Sequence, residues 1–81
     1  MNIILDSVDK VKDFVREVSK FETDIDLVSS RFIVDAKSLM GIFTLDREQP
    51  LQLVAETTDS DALSSLTQAI GRFLQPVSKE A

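Results

Sequence analysis

Apolar residues along this chain follow two periodicities, and the switches between them mark out seven elements. Asn2 to Leu5 is a short apolar run that predicts a strand. Val8, Val11, Phe14, Val15, Val18 and Phe21 then recur at helical spacing, predicting a helix over residues 8–20 capped by Asp6 or Ser7. Asp9 and Asp13 fall early in it, where the helix dipole favours negative charge, and Lys20 falls at its end. The alternation Asp24-Ile25-Asp26-Leu27 predicts a half-buried strand, and Ser29-Ser30 a tight turn. Arg31 to Ala36 returns as the second strand of a hairpin, with Phe32, Val34 and Ala36 facing inward and Ile33 and Asp35 outward.

A second helical stretch is short. Ser38 is a good N-cap residue, and residues 39–45 after it carry five large apolar side chains among seven. Ile42 and Leu45 share one face, which leaves Leu39, Met40 and Phe43 projecting elsewhere. That surplus exceeds what one short amphipathic helix normally buries, and a serine at its N-terminus makes the stretch a candidate for a switchable docking site. Asp46 to Pro50 reads as a polar loop, and Leu51 to Ala55 as a fourth strand. Asp59 or Ser60 opens a last helix with Leu63, Leu66, Ile70 and Phe73 as its stripe, Gly71 inside it and Pro76 stopping it. Residues 77–81 read as a polar tail, leaving one domain over residues 1–76.

Strand, helix, strand, strand, short helix, strand, helix is a βαββαβα order. It predicts an α+β open-faced sandwich, with three helices on one face of a four-stranded, mainly antiparallel sheet. Eighty-one residues with 43% apolar content suffice for one modest core.

Composition removes whole classes of chemistry. There is no cysteine, histidine, tyrosine or tryptophan, so disulfides, thiolate or imidazole metal sites and histidine acid–base catalysis are absent. Neither an enzyme nor a cofactor is expected. A net charge of −5 with scattered Lys and Arg argues against nucleic-acid binding. The start has no basic n-region, and no run approaches the length of a membrane span, so the expected location is the cytoplasm. Glu22, Asp24 and Asp26 fall on alternating positions and read as a solvated face rather than a metal site.

The element order and three segments resemble HPr, the small phosphocarrier of the bacterial sugar phosphotransferase system. Phe14-Val15-Arg16-Glu17 through Phe21 is similar to the end of that family's first helix. Ala36-Lys37-Ser38-Leu39-Met40-Gly41 is similar to its regulatory-serine motif in the Gram-positive style, and Asp61-Ala62-Leu63-Ser64-Ser65-Leu66 to the start of its last helix. The resemblance spans roughly residues 7–75 and implies the fold deduced above.

It also implies a departure. The family's phosphoacceptor histidine caps the first helix, and an arginine two residues later supports it. The alignment places Ser7 at the histidine, Asp9 at the arginine and Lys10 at the usual proline, after a shortened N-terminus. An aspartate there repels a phosphoryl group, so histidine-type transfer is expected to be lost. What the resemblance carries over is Ser38, phosphorylated in Gram-positive members by an ATP-dependent HPr kinase whose product binds a transcriptional regulator. Leu39, Met40 and Phe43 match the family's docking positions. The expectation is a regulatory or protein-interaction module with a protein partner and neither nucleic acid nor membrane. Two alternatives stay open: a phosphocarrier using Ser7 or Asp9 as an unusual acceptor, and a structural or metabolite-binding α+β domain. Ser38 as a plain helix cap stays open with them.

Overall fold

In the computed structural model, which describes residues 1–76, four strands form: β1 (Asn2–Ile3), β2 (Ile25–Val28), β3 (Ile33–Asp35) and β4 (Leu51–Ala55). The helices are α1 (Val8–Val18), α2 (Leu39–Phe43) and α3 (Ser60–Ala69), followed by a 3-10 turn at Gly71–Phe73. The strands run in the order β1-β4-β2-β3, every neighbouring pair antiparallel. The α+β open-faced sandwich is therefore what the pattern predicted. The expected tail, 77–81, lies outside the described residues.

Period-two alternation separates the faces. Ile3, Ile25, Leu27, Leu51 and Leu53 are buried on one side, while Asn2, Gln52 and Val54 stay exposed on the other. The helices cover the apolar side with Val11, Phe14 and Val18 from α1, Ile42 from α2 and Leu66 from α3. No polar or charged residue is wholly buried among the described residues, so dispersion and apolar burial hold the layers together. Phe14 and Phe73 meet edge to face, their ring centroids 5.6 Å apart and their planes at 89°.

Three details depart from the expectations. The β2–β3 turn is not a two-residue Ser29-Ser30 step: Ser29 N–H donates to Phe32 O at 2.9 Å, so the loop spans residues 29–32. Two-residue hairpin turns need positive φ, which serine disfavours, and no described residue has it. Phe32 consequently belongs to the loop and is 62% exposed rather than facing inward. Val34 is half-buried and Ala36 buried, as the alternation predicted.

The last helix is also shorter than expected, ending at Ala69 instead of running through Gly71 to Pro76. Ile70, at φ −106° and ψ 12°, takes the chain out of helical geometry. The 3-10 turn then brings Phe73 back onto Phe14, which a straight helix would carry past at 1.5 Å per residue. Finally, β1 is short but anchored on both sides. It pairs with β4, and on its outer side Ile4 N–H donates to Phe73 O at 2.8 Å and Gln75 N–H to Asn2 O at 2.9 Å. Leu74 stands opposite Ile3 in that bridge.

Candidate functional site

Ser38 occupies the N-cap of α2 in extended geometry, φ −102° and ψ 106°. Gly41 N–H donates to its Oγ at 3.0 Å, and Ile42 N–H donates to its carbonyl at 3.1 Å, satisfying two donors of the first turn. Gly41 is small for a reason. A Cβ there would lie 3.1 Å from Ser38 Oγ and 3.4 Å from Val34 Cβ, so a larger residue would crowd the capping hydroxyl and require it to shift by a few tenths of an ångström. Upstream, Asp35 Oδ1 accepts from Lys37 N–H at 2.9 Å, and Asp35 O accepts from Ser38 N–H at 3.0 Å. The Lys37 ammonium is turned away from the serine: it donates to Phe21 O at 2.5 Å and ties the end of the first helical segment to this loop. Ser38 thus has a fixed backbone and an accepting Oγ, and no cation among the described residues is committed to it.

The apolar residues after Ser38 divide. Met40 is 75% exposed. Leu39 and Phe43 do not project freely as expected; both are half-buried against the core, beside buried Ile42 and Leu45. A five-residue helix lying next to α1 presents too narrow an outer face for three large side chains, so only Met40 stands clear.

Phe43 carries a neighbour that the sequence reading passed over. The Arg47 guanidinium lies over its ring, 5.1 Å from the centroid, and Nη1 donates to Leu5 O at 3.1 Å. Arg47 Nε is buried without a partner. One side chain from the α2–β4 loop therefore straps α2 to the segment leading into α1, and its polar helix-to-strand setting hid it: a lone arginine among Asp46, Glu48 and Gln49 reads as loop polarity. Its position four residues after Phe43 was the available signal.

That strap ends near Ser7, the second candidate. Ser7 is the N-cap of α1, with Lys10 N–H donating to its Oγ at 3.1 Å. Asp6 and Lys10 form an ion pair at 2.9 Å, and the hydrogen bond from Lys10, then its charge, hold the Asp6 carboxyl below its ordinary pKa. Asp9 lies exposed in the first turn. Lys10, the cation paired at this end among the described residues, is thus already neutralised by Asp6, and no described side chain accepts a hydrogen bond from the Ser7 hydroxyl to activate it. Among the described residues no group of three or more Asp or Glu is placed to hold a metal ion. No helix there is long and apolar enough to cross a membrane.

Fold and caps together define a small α+β open-faced sandwich with a serine at the N-terminus of each of its first two helices. The family model described as the PTS HPr component phosphorylation site matches residues 10–75, and the chain belongs to that family, the HPr phosphocarriers of the phosphotransferase system. The match begins at Lys10 and does not reach Ser7 or Asp9. No curated protein matches the chain in sequence. Among solved structures it is similar to HPr-C-His from Thermoanaerobacter tengcongensis, at 30% identity over 86% of this chain and 82% of that one, with a TM-score of 0.67. Similar too is Crh, the Bacillus subtilis catabolite repression containing protein, a domain-swapped dimer: 25% identity, 94% and 90% coverage, TM-score 0.63. A histidine-containing phosphocarrier protein of Mycoplasma shares the fold at 21% identity, 93% and 96% coverage and a TM-score of 0.67.

Proposed function

We propose that this chain is an HPr-family member that no longer carries a phosphoryl group on histidine and acts instead as a regulatory docking module, switched at Ser38. The observation that carries the reading is the pairing of a capping serine with an exposed Met40 two residues on, in a family member that has no histidine. Its likeness to Crh, a protein named for catabolite repression, supports a regulatory role. In this reading an ATP-dependent kinase of the HPr kinase type transfers the γ-phosphoryl group to Ser38 Oγ, ADP leaves, and the serine proton is lost. The phosphate adds roughly −1.5 to −2 charges beside Met40. A partner protein, such as a transcriptional regulator, reads that changed surface, with Leu39 and Phe43 supplying its half-buried floor. The setting is the cytoplasm.

Intact mass after incubation with ATP and an HPr kinase from a Gram-positive bacterium tests it. Addition of one phosphate that Ser38→Ala abolishes is the expected result. No addition, with the kinase active on ordinary HPr in the same tube, leaves Ser38 a helix cap and removes the switch. A phosphate gained instead from phosphoenolpyruvate and the upstream phosphotransferase enzymes, and lost with Ser7→Ala or Asp9→Asn, overturns the reading in favour of an unusual carrier.

A further inference from the structure

We infer that β3 is a self-complementary edge through which two copies of this chain pair, antiparallel, about a twofold axis at Ile33. Of the sheet's two edges, the β1 side is closed by the segment 73–75, so β3 is the open edge among the described residues. The ladder decides which of its backbone groups are free. Ala36 N–H donates to Ile25 O and Ser29 N–H to Phe32 O, so residues 32, 34 and 36 turn towards β2. Residues 33 and 35 turn outward. Asp35 O is taken by Ser38 N–H, which leaves the N–H and C=O of Ile33 and the N–H of Asp35 facing solvent. Edges of this kind are usually blunted by lysine, proline, a bulge or a covering segment. Here the edge carries Ile33, 68% exposed, beside the exposed Phe32.

The occupant follows from charge. The strand Ile33–Asp35, together with the loop residues Arg31 and Phe32 that lead into it, is complementary to itself when reversed. With Ile33 opposite the partner's Ile33, Phe32 meets the partner's Val34 and Arg31 meets the partner's Asp35, each twice by symmetry. The central pair exchanges two N–H···O=C bonds through the groups left free above. Within one copy neither Arg31 nor Asp35 makes an ion pair with a described residue, the Asp35 carboxylate accepting from the Lys37 backbone N–H instead. Asp35 stands directly opposite Asp26, with Asp24 and Glu56 lining the same open concavity. Like charges directly opposite across strands repel, and the partner's Arg31 relieves that repulsion. A second copy is thus the one partner certain to offer the matching arginine, from its loop, and the matching aspartate, from its edge strand. The pairing exchanges no strand and uses residues apart from Ser38 and Met40.

Sedimentation of the full chain at up to about 1 mM, with amide exchange by NMR, tests this, since so short an interface binds weakly. Expected are a concentration-dependent dimer and protection of the Ile33 amide that grows with concentration. Arg31→Asp and Asp35→Lys should each weaken dimerisation about fivefold or more by placing like charges opposite one another. An equimolar mixture of those two variants should restore it, because each new charge then faces its opposite. Ile33→Lys, at an exposed position, should abolish dimerisation while leaving the thermal unfolding midpoint unchanged. A chain monomeric throughout, a dimer indifferent to Ile33→Lys, a strand-swapped dimer, or a mixture no tighter than its parts overturns the inference.

Discussion

Ser38 caps α2 and is the proposed phosphoacceptor, and stability measurements separate the one role from the other. Ser38→Ala deletes the Oγ that accepts from Gly41 N–H at 3.0 Å and leaves that donor to water or to nothing. Helix α2 has only five residues and contributes one buried side chain, Ile42, so little else fixes its first turn. Loss of a serine cap costs about 1 kcal/mol, with a range of roughly 0.5–2. With an unfolding entropy near 2.1 cal/mol/K per residue, a chain of this length loses about 6 °C in Tm for each kcal/mol. Ser38→Asn keeps an accepting oxygen at the cap and removes the hydroxyl, so it should unfold within about 0.5 kcal/mol of the parent. Urea titrations followed by circular dichroism, with equal slopes for all three proteins, measure the differences. A Ser38→Ala protein as stable as the parent refutes the cap; so does a Ser38→Asn protein as weak as Ser38→Ala. The comparison also validates the phosphorylation test, since Ser38→Asn must block modification in a chain that is folded as well as the parent.

Two further outcomes follow from burial and charge. Met40→Glu should leave stability within about 0.5 kcal/mol and weaken partner binding, whereas Phe43→Glu should cost more than about 1 kcal/mol, because Phe43 packs on the core beneath Arg47; thermal unfolding of the pair measures this, and equal losses would place Met40 in the core as well. Asp6 supplies a pH dependence whose sign is definite. Its folded pKa is lowered by Lys10, so the ion pair stabilises the fold above the unfolded carboxylate value of 3.8, and that stability is lost as pH falls through the lower folded value. Unfolding curves of the parent and Asp6→Asn should therefore converge at the acid end, and a gap that widens there would contradict the pairing.

The alternation at Leu51, Leu53 and Ala55 and the helical spacing of Val11, Phe14 and Val18 were readable from the chain because each element has one buried face and a period to mark it. Ser7, Ser38 and Asp59 were readable as caps for a local reason: their side chains bond backbone groups two or three residues away. The fate of Phe32 was not. An apolar residue at the end of an alternating run is buried only if an element lies over it, and the four-residue loop carries Phe32 beyond any cover. The proposed docking patch was drawn from an excess of apolar residues, but the division of Leu39 and Phe43 from Met40 depends on where α1 sits beside α2.

By itself the sequence determined the element order, the capped helix starts, the absence of histidine and the motif that marks the family, since all of these are local or compositional. Tertiary structure alone decided three things. It folded residues 73–75 back to close the β1 edge and left β3 the open edge among the described residues, it bent the chain at Ile70 so that Phe73 reaches Phe14, and it drew Arg47 across to Leu5 and Phe43. Each joins residues dozens of positions apart or turns the chain in a way no local preference demands. The energy that selects them comes from contacts that exist only once the layers have packed.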